Sequence, residues 1–154
     1  MIRIITLNLN GIRSAARKGL LPWLEAQGAD VLCVQEVKAQ AADLDDSLRQ
    51  PAGLNGHFHF AQRPGYSGVG LYSRKKPRAV RAGFGDAEFD AEGRYVEADF
   101  GAYTVISMYL PSGSSSPERQ QAKFRFMASF AEHLRELGRG GREVVICGDW
   151  NIAH

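Results

Sequence analysis

The sequence predicts an α+β fold in which strands outnumber helices. Three observations carry this reading. Short runs rich in β-branched and aromatic residues recur along the chain, separated by Gly and polar turns that suit antiparallel neighbours. Helical patterns are fewer. Two runs, VLCVQ and EVVIC, are apolar without alternation, the signature of strands buried on both faces.

In chain order, IRIITLNL reads as a β-branched first strand. A helix is predicted from Leu20 to Gln27, with Pro22 in its first turn and Gly28 at its stop. VLCVQ is the next strand. Residues 39–56 are irregular, with a short helix around Asp43 to Arg49. HFHFAQR, GVGLYSR, RYVEADF and YTVISMY supply further strands. Ser116 and Pro117 then open a long helix as N-cap and first helical residue. Phe124, Met127, Ala128, Ala131 and Leu134 are predicted to form its apolar face, and Gly138 to end it. EVVIC is the last strand, read as buried.

Length and composition bound the rest. The 154 residues, 44% apolar, suit one domain with a sizeable core. No apolar run approaches the ~18 residues of a membrane span. The opening MIRIITLNLN meets polar Asn8 too early for a signal peptide, so a cytoplasmic location is expected. Cys33 and Cys147 lie within apolar runs and read as buried, reduced thiols, with a disulfide as the lesser alternative. Neither has a second ligand at zinc-type spacing. Charge is uneven. Residues 1–81 carry 12 Lys and Arg against 6 Asp and Glu, and residues 82–154 carry 7 against 11. A basic first half suits an anionic partner, although solvated surface charge explains it nearly as well.

Four strands end in residues able to bind metal or phosphate. The first ends in Asn8 and Asn10, and VLCVQ runs into Glu36. YTVISMY ends in Tyr109, followed by Pro111 and Ser112. EVVIC leads to Asp149 and Asn151. Active sites gather where strand ends open into a crevice. Glu36 offers a hard cation such as Mg²⁺ an anionic oxygen. The three asparagines can donate to phosphate or orient water, and Asp149 can take a proton from an attacking water. Each has a plainer reading. Asn10-Gly11 is also a turn signal, and Glu36 a solvated charge. Tyr109 reads as a half-buried aromatic, and Asp149 and Asn151 as a cap or Asx turn. The complementary roles of the set favour an active site for phosphoryl transfer. His57 and His59 face one side of a strand and receive no role. His133 reads as solvated, and His154 is left unassigned.

TLNLNGIR, VQEVK, GYSGVGLYSR, YLPSG and GDWNIAH, in this order, resemble the exonuclease III-type apurinic/apyrimidinic (AP) endonucleases, within the endonuclease/exonuclease/phosphatase superfamily. The resemblance runs the length of the chain. It implies a four-layer α/β/β/α sandwich of the DNase I-like type, of which residues 1–154 are the N-terminal portion. It implies that Glu36 is the main metal ligand, with Asn10 beside it where some relatives have Asp, and a Mg²⁺ requirement that Mn²⁺ can meet. Asn8 resembles the residue that orients the catalytic Asp, and Tyr109 a phosphate-contacting tyrosine. Asp149 resembles the residue that aligns or deprotonates the nucleophilic water, and Asn151 the one that hydrogen-bonds the scissile phosphate. The loop Gly65, Tyr66, Ser67 and Gly68 resembles a DNA-backbone contact, and Arg13 and Lys38 of the flanking motifs are assigned to substrate as well.

The implied activity is hydrolysis of DNA 5′ to an abasic site, with removal of 3′ nucleotides. The implied partner is double-stranded DNA, with no membrane and no organic cofactor. A phosphatase or phospholipase on small or lipid phosphates is the alternative enzyme, and an inactive fragment or binding module the alternative of another class. The family's later motifs, including a Ser-Asp-His run, are not among these residues, so the chain alone is expected to be inactive. It is also expected to hold roughly one sheet with its outer helix, leaving the inner sheet face bare.

Overall fold

The computed structural model describes residues 1–152. Its strands are β1 (Ile4–Asn8), β2 (Val31–Gln35), β3 (Asn55–His59), β4 (Val69–Ser73), β5 (Ala79–Ala82), β6 (Tyr95–Asp99), β7 (Tyr103–Tyr109) and β8 (Glu143–Asp149). The helices are α1 (Ile12–Arg17), α2 (Leu20–Gln27), α3 (Asp46–Arg49), α4 (Ala87–Asp90) and α5 (Pro117–Arg139).

These strands form two four-stranded sheets, ordered β1-β2-β4-β3 and β5-β6-β7-β8. The expectation of roughly one sheet with a bare inner face is therefore corrected. Val31, Cys33, Val69 and Leu71 of the first sheet pack against Val96, Ala98 and Val105 of the second. The outer faces are covered too. Ile12, Leu20 and Leu24 lie over Leu32, Val34 and Tyr72. Phe126 and Phe130 of α5 lie over Tyr95, Ile106 and Met108. Helix, sheet, sheet and helix thus make the four layers within this one chain. Half of such a sandwich need not be one sheet: the chain crosses to the second sheet between β4 and β5, so residues 1–152 contribute four strands to each.

Each sheet holds one parallel pair, β1 with β2 and β7 with β8, and is otherwise antiparallel. Parallel pairing brings the carboxyl ends of both strands to the same edge. Among the described residues β1 and β3 are the edge strands of the first sheet, and β5 and β8 those of the second. β8 is consequently a half-exposed edge strand, with Val145 37% exposed, rather than the buried strand expected.

Helix α2 runs over the predicted Leu20–Gln27 and stops at Gly28 in the left-handed region. Helix α5 starts as predicted, with the Ser116 side chain accepting from Arg119 N. Its buried face differs: Ala122, Phe126, Phe130 and His133 point inward, while Phe124 and Met127 face solvent. Apolar residues ring this helix, and the inward stripe is selected by the aromatic cluster of Phe84, Phe89 and Tyr95. Gly138 lies inside the helix, which ends at Arg139. His133 is buried rather than solvated, with Nε2 2.8 Å from the Tyr95 hydroxyl.

Candidate active site

Four strand ends meet at one edge of the sandwich. Asn8 closes β1 and Asp149 closes β8, in different sheets. Asn8 Nδ2 donates to Glu36 Oε1 at 2.9 Å and to Asp149 Oδ2 at 2.8 Å. A primary amide has two N–H bonds, and here each takes one carboxylate. The amide is itself oriented, because Asn8 Oδ1 accepts from Asn10 N at 3.0 Å. The Tyr109 hydroxyl donates to the same Glu36 Oε1 at 3.0 Å.

Lys38 completes the cluster. Its Nζ lies 2.7 Å from Glu36 Oε2 and 2.6 Å from Asn10 Oδ1. Burial pushes the Glu36 carboxyl upward, but hydrogen bonds from Asn8, Lys38 and Tyr109 together outweigh it, so its pKa is lowered. Burial and the neighbouring Glu36 charge push the Tyr109 hydroxyl up to about 12, which keeps it a proton donor at neutral pH.

The backbone around this cluster is unusual. Among the described residues, six other than Gly have positive φ: Asn10, Glu36, Lys38, Ser67, Asn151 and Ala52. Five of them belong to the predicted site. Such conformations cost of order 1 kcal/mol or more and concentrate where function over-determines the backbone. The Glu36–Lys38 turn is tied on both sides. Gly11 N donates to Glu36 O, while Val37 N and Lys38 N donate to Gly68 O and Ser67 O. The Gly65–Gly68 loop is therefore hydrogen-bonded to the turn that carries Glu36.

Asp149 and Asn151 border a cleft of about 650 Å³, lined also by Ser112, Lys123 and Trp150. Asp149 Oδ1 accepts from Asn151 N at 3.0 Å, and the Asn151 side chain donates to Leu110 O at 2.8 Å. Lys123 Nζ holds Asn151 O at 2.6 Å. Gly148 lets β8 approach this closely, since a Cβ there would lie 2.3 Å from Met108 O.

Two predicted site residues stand apart or are engaged elsewhere. Arg13 pairs with Asp43 on an exposed surface and touches none of the clustered side chains. The Tyr66 hydroxyl lies within a network of Glu92, Arg94 and Arg119. Sequence reading missed that network. Its local signal was the Glu92-Gly93-Arg94 triplet ahead of a strand. His154 lies outside the described residues. A second cavity, of about 330 Å³ and lined by Arg49, His57 and Phe58, contacts none of the clustered residues.

The donor set suits a hard cation. Glu36 Oε2 and Asn10 Oδ1 converge on a single cationic group, the Lys38 ammonium, which marks where positive charge is favoured. Among the described residues no three His, Cys, Asp or Glu side chains form a metal cluster. A cation here would draw on one carboxylate and a carboxamide, as fits an ion such as Mg²⁺ that keeps most of its waters.

Comparison with known proteins gives a consistent set of relatives. The model of the Endonuclease/Exonuclease/phosphatase family matches residues 5–154. An exodeoxyribonuclease of Bacillus subtilis is 32% identical over 99% of this chain and 60% of its own length. A DNA-(apurinic or apyrimidinic site) endonuclease of Dictyostelium discoideum is 30% identical, over 99% of this chain and 42% of its own. Among solved structures, an AP endonuclease from Archaeoglobus fulgidus superposes with a TM-score of 0.86 at 28% identity, covering 99% of this chain and 58% of that one. The Xenopus laevis APE2 catalytic domain gives 0.84 at 31%, covering 98% and 59%. The chain thus spans less than two thirds of the length of each of these relatives.

Proposed function

Because the chain belongs to the endonuclease/exonuclease/phosphatase family, we propose that it supplies the N-terminal portion of a Mg²⁺-dependent DNA-repair phosphodiesterase, which cuts 5′ to abasic sites and removes 3′ nucleotides. The observation that carries the proposal is the Asn8 amide bridging the Glu36 and Asp149 carboxylates across the two sheets. In this reading one carboxylate serves a cation and the other the water, and the amide between them sets their separation.

In this reading Glu36 and Asn10 hold the cation, with Mn²⁺ able to replace Mg²⁺. Bound there, it supplies Lewis-acid polarisation of a phosphoryl oxygen and offsets the charge that develops on it. Asp149 aligns the attacking water and accepts its proton, while Asn8 keeps the Asp149 carboxylate aimed. The Tyr109 hydroxyl and the Asn151 amide face the phosphate. Lys38, released from Glu36 and Asn10 when the cation takes its place, follows the DNA backbone with the Gly65–Gly68 loop and Arg13, where basic groups supply most of the affinity. The open edges of β1 and β8 flank this site and offer unpaired backbone to further strands of the same domain.

The test is incision of a duplex carrying one abasic site by the intact protein, with Mg²⁺ and with a chelator, beside inositol phosphates and sphingomyelin. Cutting at the abasic site that the chelator abolishes is the expected result. Turnover of the small or lipid phosphates with the duplex left whole would overturn the proposal.

A further inference from the structure

We infer that Arg94 is a positioning residue, which fixes the Tyr109 hydroxyl at the phosphate site and ties it to the Gly65–Gly68 loop. This rests on the role proposed above for Tyr109. Arg94 is the largest fully buried side chain among the described residues, 2% exposed. A guanidinium is strongly disfavoured in such surroundings unless its donors are met and its charge is paired. Here they are met by a chosen set. Nε pairs with Glu92 Oε2 at 2.5 Å, Nη1 donates to Tyr109 O at 3.0 Å, and Nη2 to the Tyr66 hydroxyl at 2.9 Å.

Arg94 grips Tyr109 three ways. Besides the bond to Tyr109 O, Arg94 O accepts from Tyr109 N at 3.0 Å. The guanidinium carbon also stands 4.9 Å from the centre of the Tyr109 ring, over its face. On its other side the guanidinium holds the substrate loop, because Tyr66 stacks 5.8 Å from the same carbon and takes its N–H. Arg119 from α5 adds a second bond to the Tyr66 hydroxyl at 2.7 Å and pairs with Glu92. A displacement of Tyr66 by DNA is thus transmitted through one rigid, planar group to Tyr109, and from there to Glu36.

The chain is built locally to allow this. At Gly93 a Cβ would lie 2.5 Å from Phe60 C and Ala61 N. Only glycine lets the Glu92–Arg94 turn sit against that backbone, which aims Arg94 inward and leaves Glu92 beside it. Lysine at position 94 would keep the charge but not the planar fork that reaches three acceptors at once.

Two measurements test this. The first needs no activity. The protein labelled with 3-fluorotyrosine should show a ¹⁹F resonance for each of its five tyrosines, with those of Tyr66 and Tyr109 assigned by phenylalanine substitution. In Arg94→Lys both resonances should move while that of Tyr72, on the far face of the other sheet, stays. Tyr66→Phe, which leaves the buried charge pair intact, should move Tyr109 as well. A Tyr109 resonance unmoved in both variants overturns the inference.

The second is kinetic. Arg94→Lys should lower kcat about tenfold or more with KM within about threefold. In a Tyr109→Phe background the same change should cost less than about twofold, because the two act as one unit. Fully additive losses would show that Arg94 serves only the fold and overturn the inference. Arg125→Gln, on a surface pair with Glu88, is the control for losing an arginine. Unchanged turnover in Tyr109→Phe would overturn the phosphate role of Tyr109, and the resonances alone would then decide whether Arg94 holds it.

Discussion

The Tyr109 hydroxyl donates to Glu36 Oε1 at 3.0 Å, so the last residue of β7 reaches across to the turn that follows β2 in the other sheet. The same hydroxyl is read above as a phosphate donor. Tyr109→Phe is expected to lower turnover by up to roughly a hundredfold, the scale of losing one pre-aimed donor to developing charge. The fold should be unaffected, because the ring and both of its backbone bonds remain. Single-turnover incision beside a thermal melt checks this. Wild-type turnover with normal folding would remove Tyr109 from the site.

Glu36→Gln keeps shape and removes charge. Substituting even an outer partner of a metal ligand commonly costs about 10- to 100-fold in affinity, so the loss of the anionic ligand itself should be at least that large. Calorimetric titration with Mn²⁺ should show the weakening directly, and the Mg²⁺ needed for half-maximal incision should rise with it. Unchanged affinity would place the cation elsewhere.

Asp149→Asn should leave duplex affinity within a few-fold and lower kcat by roughly 10²- to 10⁴-fold, the range for general-base groups. Asparagine can still accept from the Asn8 amide, so the geometry has reason to persist while the proton acceptor is gone. Fluorescence anisotropy and single-turnover rates separate the two effects. A variant cutting at the wild-type rate refutes the assignment.

Cys33 and Cys147 stand on β2 and β8, in different sheets, and both are free thiols. The neighbouring Cys33 thiol lowers the Cys147 thiol below its usual range, while Cys147 and burial raise that of Cys33. The thiolate is the nucleophile, so alkylation of Cys147 should set in at lower pH than for an ordinary thiol, with Cys33 inert. Cys33→Ala should move that onset to higher pH. Mass spectrometry of iodoacetamide-treated protein across pH reads both, and equal labelling of the two thiols would contradict it.

Much of the fold was legible where one element carried its own signal. VLCVQ and YTVISMY coincide with β2 and β7, and Ser116-Pro117 opens α5 through its own cap. Strand β5 was missed because all four of its residues are exposed and show no alternation. Helix α1 was missed because Gly11 caps it without a side-chain bond. The inward face of α5 could not be read locally, since Phe84, Phe89 and Tyr95 select it from other segments. The same division holds at the site. Asn8, Glu36, Tyr109 and Asp149 stand out as polar ends of apolar runs. The bond from Arg94 to Tyr66 joins residues 28 positions apart and leaves no local trace.

Because Asn8 grips one carboxylate from each half of the sandwich, the proposed chemistry depends on how the sheets are aligned, not only on whether they are folded. Sliding one sheet by a single residue along its strands displaces Asp149 from Glu36 by about 3.3 Å. That exceeds the length of either Asn8 bond, and no rotamer change can restore both. The amide thus works as a gauge between two rigid plates, tolerant of motion within each and intolerant of shear between them. Warming that loosens the Val, Leu and Ala contact between the sheets should therefore extinguish catalysis at a lower temperature than it melts the strands themselves.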